Sequence, residues 1–588
     1  MASSPAPELR RAAYWALLGW LACSAAMLWL FHGGFATLAF RDPDDAMRLV
    51  QIRDWIGGQA FHDVSQHRVN PPLGGPMHWS RIVDMPVAGL ILLLRPLLGT
   101  ASAEMIACAI VPCLLLGGLT AALFLAARRV ANSGIALLAV GLLLTTPSIL
   151  VQFTPLRIDH HGWQIMLAAI ALASAMDARA ARGGIVAALA LALWLQISSE
   201  ALPYTAIFAG AFALRHWIAR DQAPRFIAFA LTLGAAALLL LALLRGGQAL
   251  VTTQCDALSA AYLWPLVGLA TATGVATPII GTQSAGRRFA IAVIGGGAAL
   301  AIFLVTGGPC LSGDPFAALG PLAYRLWYLQ VMEGRPFWEQ SLSMQGIILL
   351  PSLIGLGASL MAARANEGDA RMRWLMLILL LCGAVAVSML VMRALSVAHL
   401  FALPGTAWLL LQLFRRVQAS PRALLRVPGS VALVLLTPAG LCAVWVALIE
   451  QPEPATKKAS ADCRSAAVLA PLKTLPTATL LAPIDLGPDI LAQTPHSVIG
   501  TAHHRNAVGI AAVIHSFVDA PDATRRVIAR TRATYLVNCD GLNEDNVYVK
   551  ANSRGLAAML SRKQVPSWLT PLPGNGPLHI YRIKPAGS

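Results

Sequence analysis

Long apolar runs separated by short polar breaks dominate the first 450 residues of the chain. About thirteen of them approach the roughly 20 residues that a helix needs to cross a bilayer. They lie near 13–36, 104–126, 133–153, 163–177, 183–199, 201–219, 225–244, 262–281, 289–306, 346–363, 372–391, 396–414 and 429–449. The run Val87 to Leu98 is too short to span and carries Arg95, so it predicts an interfacial or re-entrant helix within a long first loop, 37–103. After residue 450 the pattern changes. Gln451-Pro452-Glu453-Pro454 reads as a linker into a tail of mixed polarity. Strand-like runs (Thr479 to Ile484, His496 to Gly500, Thr534 to Asn538, Leu578 to Ile583) alternate there with helical periodicity (Asn506 to Phe517, Asp522 to Thr531, Gly555 to Ser561). The expected fold class is a polytopic α-helical membrane protein, residues 1–450, followed by a small C-terminal α/β domain, 451–588.

Composition agrees. Of 588 residues 57% are hydrophobic and 12% charged, against about 25% charged in soluble domains. The net charge of +16 does not point to nucleic acid, because the arginines cluster in short loops between apolar runs, as orientation signals do. Met1 to Arg11 is short and basic with no convincing cleavage site after it, so the first run reads as a retained span. Arg10-Arg11, Arg128-Arg129, Arg179 with Arg182, Arg287-Arg288, Arg364 with Arg371 and Arg415-Arg416 mark alternate ends as cytoplasmic. The loops 37–103, 154–162, 199–201, 245–261, 307–345 and 392–395, and the tail, then face outward, which for a bacterial inner membrane is the periplasm. Of the 9 cysteines, Cys255, Cys310, Cys463 and Cys539 fall on that oxidising side, and Cys255–Cys310 and Cys463–Cys539 are the natural pairings.

The outward loops hold the ionisable chemistry. Asp159-His160-His161 sits between two apolar runs, where charged groups are costly and functional by default. In an extended chain Asp159 and His161 share a side and suit one cation; alternatively Asp159 caps the following helix. The first loop opens with Asp42-Pro43-Asp44-Asp45 and Arg48. Asp42 is placed to cap a helix on which Asp44 and Arg48 would pair, or a carboxylate there serves a metal or an acceptor. Glu333 stands alone in an apolar stretch, Glu200 lies in an outward hairpin, and Arg393, with His399 close by, either reaches the headgroups or binds a phosphate. Acids, histidines and an arginine converging from several loops suit a lipid phosphate neutralised by a cation. The tail's densest polar cluster, His503-His504-Arg505-Asn506, is placed to face that site.

These residues resemble the catalytic subunit of oligosaccharyltransferase, in the GT-C superfamily of membrane glycosyltransferases. Asp42-Pro43 followed by Met47-Arg48-Leu49 is similar to that family's first acidic motif, and Asn70-Pro71-Pro72-Leu73-Gly74 with Met77-His78-Trp79 resembles the proline and tryptophan segment of its first loop. Asp159-His160-His161 is similar to the second acidic motif of archaeal members, and Val331-Met332-Glu333 to the external-loop motif whose glutamate helps hold the acceptor. The resemblance implies about 13 transmembrane helices with an external C-terminal domain. It implies Asp42, Asp159 and His161 as ligands of a divalent metal, manganese or magnesium before zinc. Asp42, Glu333 and Asp45 would act on the acceptor nucleophile, with Asp44 and Asp45 competing with Asp42 for the first motif's register. Arg393 would bind the donor diphosphate, with Asp44, His78, Trp79, His160 and His399 lining the substrates. The tryptophan-tryptophan-aspartate motif that reads a protein sequon is absent from 451–588.

The expected activity is transfer of a sugar or oligosaccharide from a polyprenyl phosphate or diphosphate to a glycan, lipid or protein acceptor. Protein oligosaccharyl transfer proper is the nearest alternative. A lipid-linked glycan flippase is the alternative of a different class, but it would carry charges near the middle of its spans, and these spans are almost free of charge. A non-catalytic envelope assembly factor is a third reading.

Overall fold

The computed structural model describes residues 6–313, 316, 319–450 and 463–585. The first residues and the linker Gln451-Pro452-Glu453-Pro454 lie outside the described residues. Every expected span falls on a helix or a broken helix. Among the described residues nine helices are long and apolar enough to cross a membrane, or up to 11 if each of two bent pairs is one span. The bent pairs, Ser133–Leu143 with Pro147–Phe153 (67°) and Arg426–Leu436 with Pro438–Ile449 (80°), each restart at a proline, which cannot continue the preceding helix. The two remaining expected spans are the 15-residue His161–Ala175 and the 18-residue Ala201–Ile218, whose last turn carries Arg215 and His216.

Small residues set the helix contacts. Ala180–Ile197 packs along Ala223–Arg245, and a Cβ on Gly184 would lie 2.2 Å from the Arg225 carbonyl oxygen. Only glycine permits that approach, a common device where helices meet in a membrane.

The first loop is more helical than its sequence suggests. Pro43–Ile56 forms one helix and Arg81–Leu98 another. The second starts six residues before the apolar run does. Ser80 caps it by accepting from the Ile82 amide, and its first turn buries Arg81 and Asp84. Its far end exposes Leu93 and Leu97 (70% and 83%), as a helix lying against hydrocarbon does.

The tail forms a five-stranded sheet of order β2-β1-β3-β5-β4. The strands are β1 (Thr479–Leu481), β2 (Ser497–Val498), β3 (Tyr535–Cys539), β4 (Leu569–Leu572) and β5 (Leu578–Ile583). β2, β1 and β3 run parallel; β5 is antiparallel to both β3 and β4. β4 escapes sequence reading because Pro571 interrupts it, which an edge strand tolerates. The helices Ala507–Val518, Pro521–Thr531 and Leu556–Ser561 match the expected ones to within a few residues, while Gly487–Gln493 and Asn543–Ala551 were not anticipated. Both expected disulfides, Cys255–Cys310 and Cys463–Cys539, are formed.

The tail and the first loop share one core. Met47, Val50, Met77 and Trp79 pack with Leu480, Ile490, Val498 and Val537. Val69 bridges Val498 in parallel. The Asn70 amide donates to the Val498 carbonyl (2.7 Å) and the Val498 amide to the Arg68 carbonyl (2.9 Å). Arg68 donates to the carbonyls of Leu491, Thr494 and His496 at 2.8, 3.0 and 3.2 Å. The polar residues of the first loop therefore lie between the tail and the helix bundle.

Candidate functional site

Three elements bring the acids together. Asp42 caps Pro43–Ile56, its Oδ1 accepting from the Asp44 amide at 2.9 Å, as its position before a proline suggests. The expected Asp44–Arg48 pair does not form. Arg48 is 1% exposed and turns inward, donating to Asp84 Oδ1 at 3.0 Å and lying 3.7 Å from Asp159 Oδ1, with its guanidinium 4.1 Å from the centre of the Trp79 ring. The buried arginine takes the fully buried Asp84, because Asp44, with its side chain still 29% exposed, repays less of the arginine's desolvation. Asp45 is fully buried and braces the second acidic segment, its Oδ1 accepting from the Asp159 amide at 2.9 Å.

Asp159 does not cap the next helix. His160 occupies the cap position without a side-chain cap bond, while the Asp159 carboxylate contacts His160 Nδ1 and lies 3.4 Å from His161 Nε2. Against the cost of burial, His160, His161 and Arg157 hold the Asp159 carboxyl well below the ordinary carboxylate range. Asp159 Oδ2 is buried with no hydrogen-bond partner, which is costly unless something else binds there.

Arg393 contacts Glu200 and lies 3.2 Å from Glu333 Oε1. Glu200 and Glu333, from two separate loops, are thus both partners of one arginine. Burial raises the Glu333 carboxyl above its ordinary value despite the pull of Arg393. Burial, then Asp42 and Asp159, raises Asp44 well above the ordinary range. Arg393, Glu200, His161, Gln152, Gln164 and Tyr204 line one small cavity. His399 is not a lining residue; it is buried among helices, bonded to Ser148 and to the Ile348 carbonyl.

The tail reaches the site as the polar cluster suggested. His503, 3% exposed, directs Nε2 to within 3.4 Å of Asp44 Oδ1 and packs edge-on against Trp79. Burial and then Arg48 push its imidazole down to about 3, so it is neutral. His504 and Arg505 both grip Asp256, at 2.7 Å each, and Arg505 adds a second contact at 2.8 Å. These hold the Asp256 carboxyl far below its usual range, against burial. His78 stacks obliquely on His504 and faces Asp256, its donor atom and those of Asp256 and His504 lying within 4.8 Å of one another. Sequence reading missed Asp256, Asp84 and Arg157; Asp256 is a lone charge in its loop, whereas Arg157 two residues before Asp159 and Asp84 three after Arg81 carried a spacing signal that was there to read.

No family model matches the chain, and no curated protein matches it. Solved structures do. The archaeal oligosaccharyltransferase AglB from Archaeoglobus fulgidus, in complex with an inhibitory peptide and a dolichol-phosphate, superposes with a TM-score of 0.64 at 13% identity, over 93% of this chain and 72% of that one. The chain has the GT-C fold. Two further structures of the Archaeoglobus fulgidus oligosaccharyltransferase share this fold at 13% identity. The apo form superposes with a TM-score of 0.61 over 92% of this chain and 72% of that chain. The complex with zinc and sulfate superposes at 0.53 over 96% and 73%. At such identity the likeness establishes the GT-C fold, and the chemistry has to be argued from the residues above.

Proposed function

We propose that the chain is a membrane glycosyltransferase that moves a sugar or oligosaccharide from a polyprenyl phosphate or diphosphate to a glycan, lipid or protein acceptor. What supports this reading is the convergence of Asp44, Asp159, His161, Glu333 and Arg393, from four separate segments, at one edge of a helix bundle with the GT-C fold. In transfer the bond from the anomeric carbon to the lipid phosphate oxygen breaks. A bond to the acceptor oxygen or nitrogen forms, and the acceptor gives up a proton. Arg393 is the group for the departing phosphate: its charge is permanent and its fork matches phosphate oxygens. Glu333 and Asp44, carboxylates raised above their ordinary range, are placed to orient the nucleophile and take its proton.

The donor set also fits a divalent ion. Asp159, His160 and His161 each offer a ligand atom, all within 4.8 Å of one another, and Asp159 Oδ2 lacks a partner. These residues would hold manganese, magnesium or zinc, which when bound adds Lewis-acid neutralisation of the phosphate. By this reading the spans lie in a bacterial inner membrane with residues 451–588 as a periplasmic domain. The purified full-length protein, given a radiolabelled polyprenyl-phosphate sugar together with glycan, lipid and peptide acceptors, should transfer the sugar and release polyprenyl phosphate. Arg393→Ala should slow that release by about 100-fold. No release by the wild type with either a phosphate or a diphosphate donor, or undiminished release by Arg393→Ala, would overturn the proposal.

A further inference from the structure

Arg157 faces three carboxylates at once. Its Nη1 lies 2.7 Å from Asp42 Oδ2 and 3.1 Å from Asp45 Oδ2, and its Nη2 lies 3.8 Å from Asp159 Oδ2. Its Nε donates to Gln152 Oε1 at 3.2 Å. The side chain is 10% exposed, so these contacts are made largely away from water. Its backbone is held inward. Leu156, the residue before it, is a non-glycine residue at φ 70, is 5% exposed, and donates its amide to the Cys108 carbonyl at 3.0 Å. A left-handed leucine is strained and persists only where the surroundings enforce it.

Two of the three carboxylates, Asp42 and Asp159, belong to the ligand set that the family resemblance implies. A divalent ion and a guanidinium compete for such oxygens. The ion needs them at about 2.0–2.2 Å, and Arg157 already sits within 2.7 Å of the nearer one. The arginine cannot step aside by losing its proton. Consistent with this, among the described residues two groups have donor atoms within 4.8 Å of one another, Asp159 with His160 and His161, and His78 with Asp256 and His504, and Asp42 is in neither. Asp159 Oδ2, which has no hydrogen-bond partner and lies between Arg157 Nη2 (3.8 Å) and His161 Nε2 (3.4 Å), marks the border between the two cation positions.

We infer that Arg157 is the resident cation of this carboxylate site: it withholds Asp42 and Asp45 from any divalent ion and confines such an ion to Asp159, His160 and His161. Under the glycosyltransferase reading, on which this one clause rests, Arg157 is also a second fixed positive charge beside Arg393 for a lipid phosphate. The inference about Asp42 stands apart from that reading, because metal binding can be measured without any transfer.

The test is a Mn²⁺ titration of the full-length protein in detergent, followed by the electron paramagnetic resonance signal of free Mn²⁺. Asp42→Asn should leave Mn²⁺ affinity within about twofold of wild type, as expected for a residue outside the ligand set. Arg157→Gln should bind Mn²⁺ at least about tenfold more tightly, and adding Asp42→Asn should abolish that gain. Arg157→Lys, which keeps the charge, should stay near wild type. A loss of tenfold or so in Asp42→Asn alone would place Asp42 on the ion and overturn the inference; so would an Arg157→Gln protein whose affinity is unchanged or weaker. Should Arg157→Gln fail to fold, the single variant Asp42→Asn decides the question.

Discussion

Asp84 lies beneath the site, and its charge holds two buried arginines. Its Oδ1 accepts from Arg48 at 3.0 Å, and its Oδ2 from Gln51 at 2.7 Å and Arg81 at 3.4 Å. The side chains of Asp84, Arg48 and Arg81 are at most 1% exposed. Asp84→Asn preserves the shape but removes the charge and turns an amide N–H toward one of these donors. Arg81 keeps other acceptors, the carbonyls of Gln51 (3.0 Å) and Asp63 (2.6 Å) and Gln59 Oε1 (3.1 Å). Arg48 keeps only its stacking on Trp79 and the distant Asp159, 3.7 Å away. Breaking one partner of a buried charge pair costs about 3–5 kcal/mol, and most of that should fall on Arg48. Cys108 and Cys113, 0% and 4% exposed, report unfolding through a thiol-reactive fluorogenic dye once the more accessible Cys23, Cys382 and Cys442 are replaced by serine. The labelling midpoint should fall by about 2–4 °C. A midpoint within about 1 °C of wild type would refute the claim that Asp84 compensates these arginines.

Three further outcomes follow from the geometry. Cys463→Ser with Cys539→Ser opens a cross-link spanning 76 residues and should cost the tail about 4 kcal/mol, seen as faster proteolysis within 463–585. Asp256→Asn should loosen His504 and Arg505 and raise amide exchange across 503–506; unchanged protection would show that the ion pairs do not hold the tail there. The Glu333 carboxyl, raised by burial and lowered by Arg393, should set an acid limb in the transfer rate above the ordinary carboxylate range. Replacing Arg393 with Gln removes the lowering partner, so in whatever activity remains the limb should move to still higher pH.

Periodicity made the bundle legible because most of its spans are long and apolar, with arginines clustered at alternate ends. It was weaker where polar residues are buried. Arg81 and Asp84 broke the apolar run and hid the first turns of Arg81–Leu98, since in sequence a buried ion pair looks like exposed charge. The site was legible in part. Asp159-His160-His161 stood out as three ligand chemistries in a row, and Glu333 and Arg393 as charges at apolar borders. Their mutual arrangement was not, because it depends on contacts such as Arg157 with Asp42, far apart in the chain. The Asp44–Arg48 pair failed for the same reason: local spacing permits it, and a buried acid at position 84 outbids it.

The pairing of Arg68 with the tail has a consequence for the order of assembly during synthesis. The bond from Arg68 to the Thr494 carbonyl spans 426 residues. At about 5–20 residues per second, the segment around Val69 waits on the order of 20 to 90 seconds before its partner strand exists. Through that interval Met47, Met77 and Trp79 lack the apolar surface that later covers them. The acids of the first loop are then already made, but His503 is not yet there to enclose them. The chain's last-made part thus closes its first-made part, and a chain cut short before Val498 keeps its bundle but leaves an open, sticky loop for quality control to find.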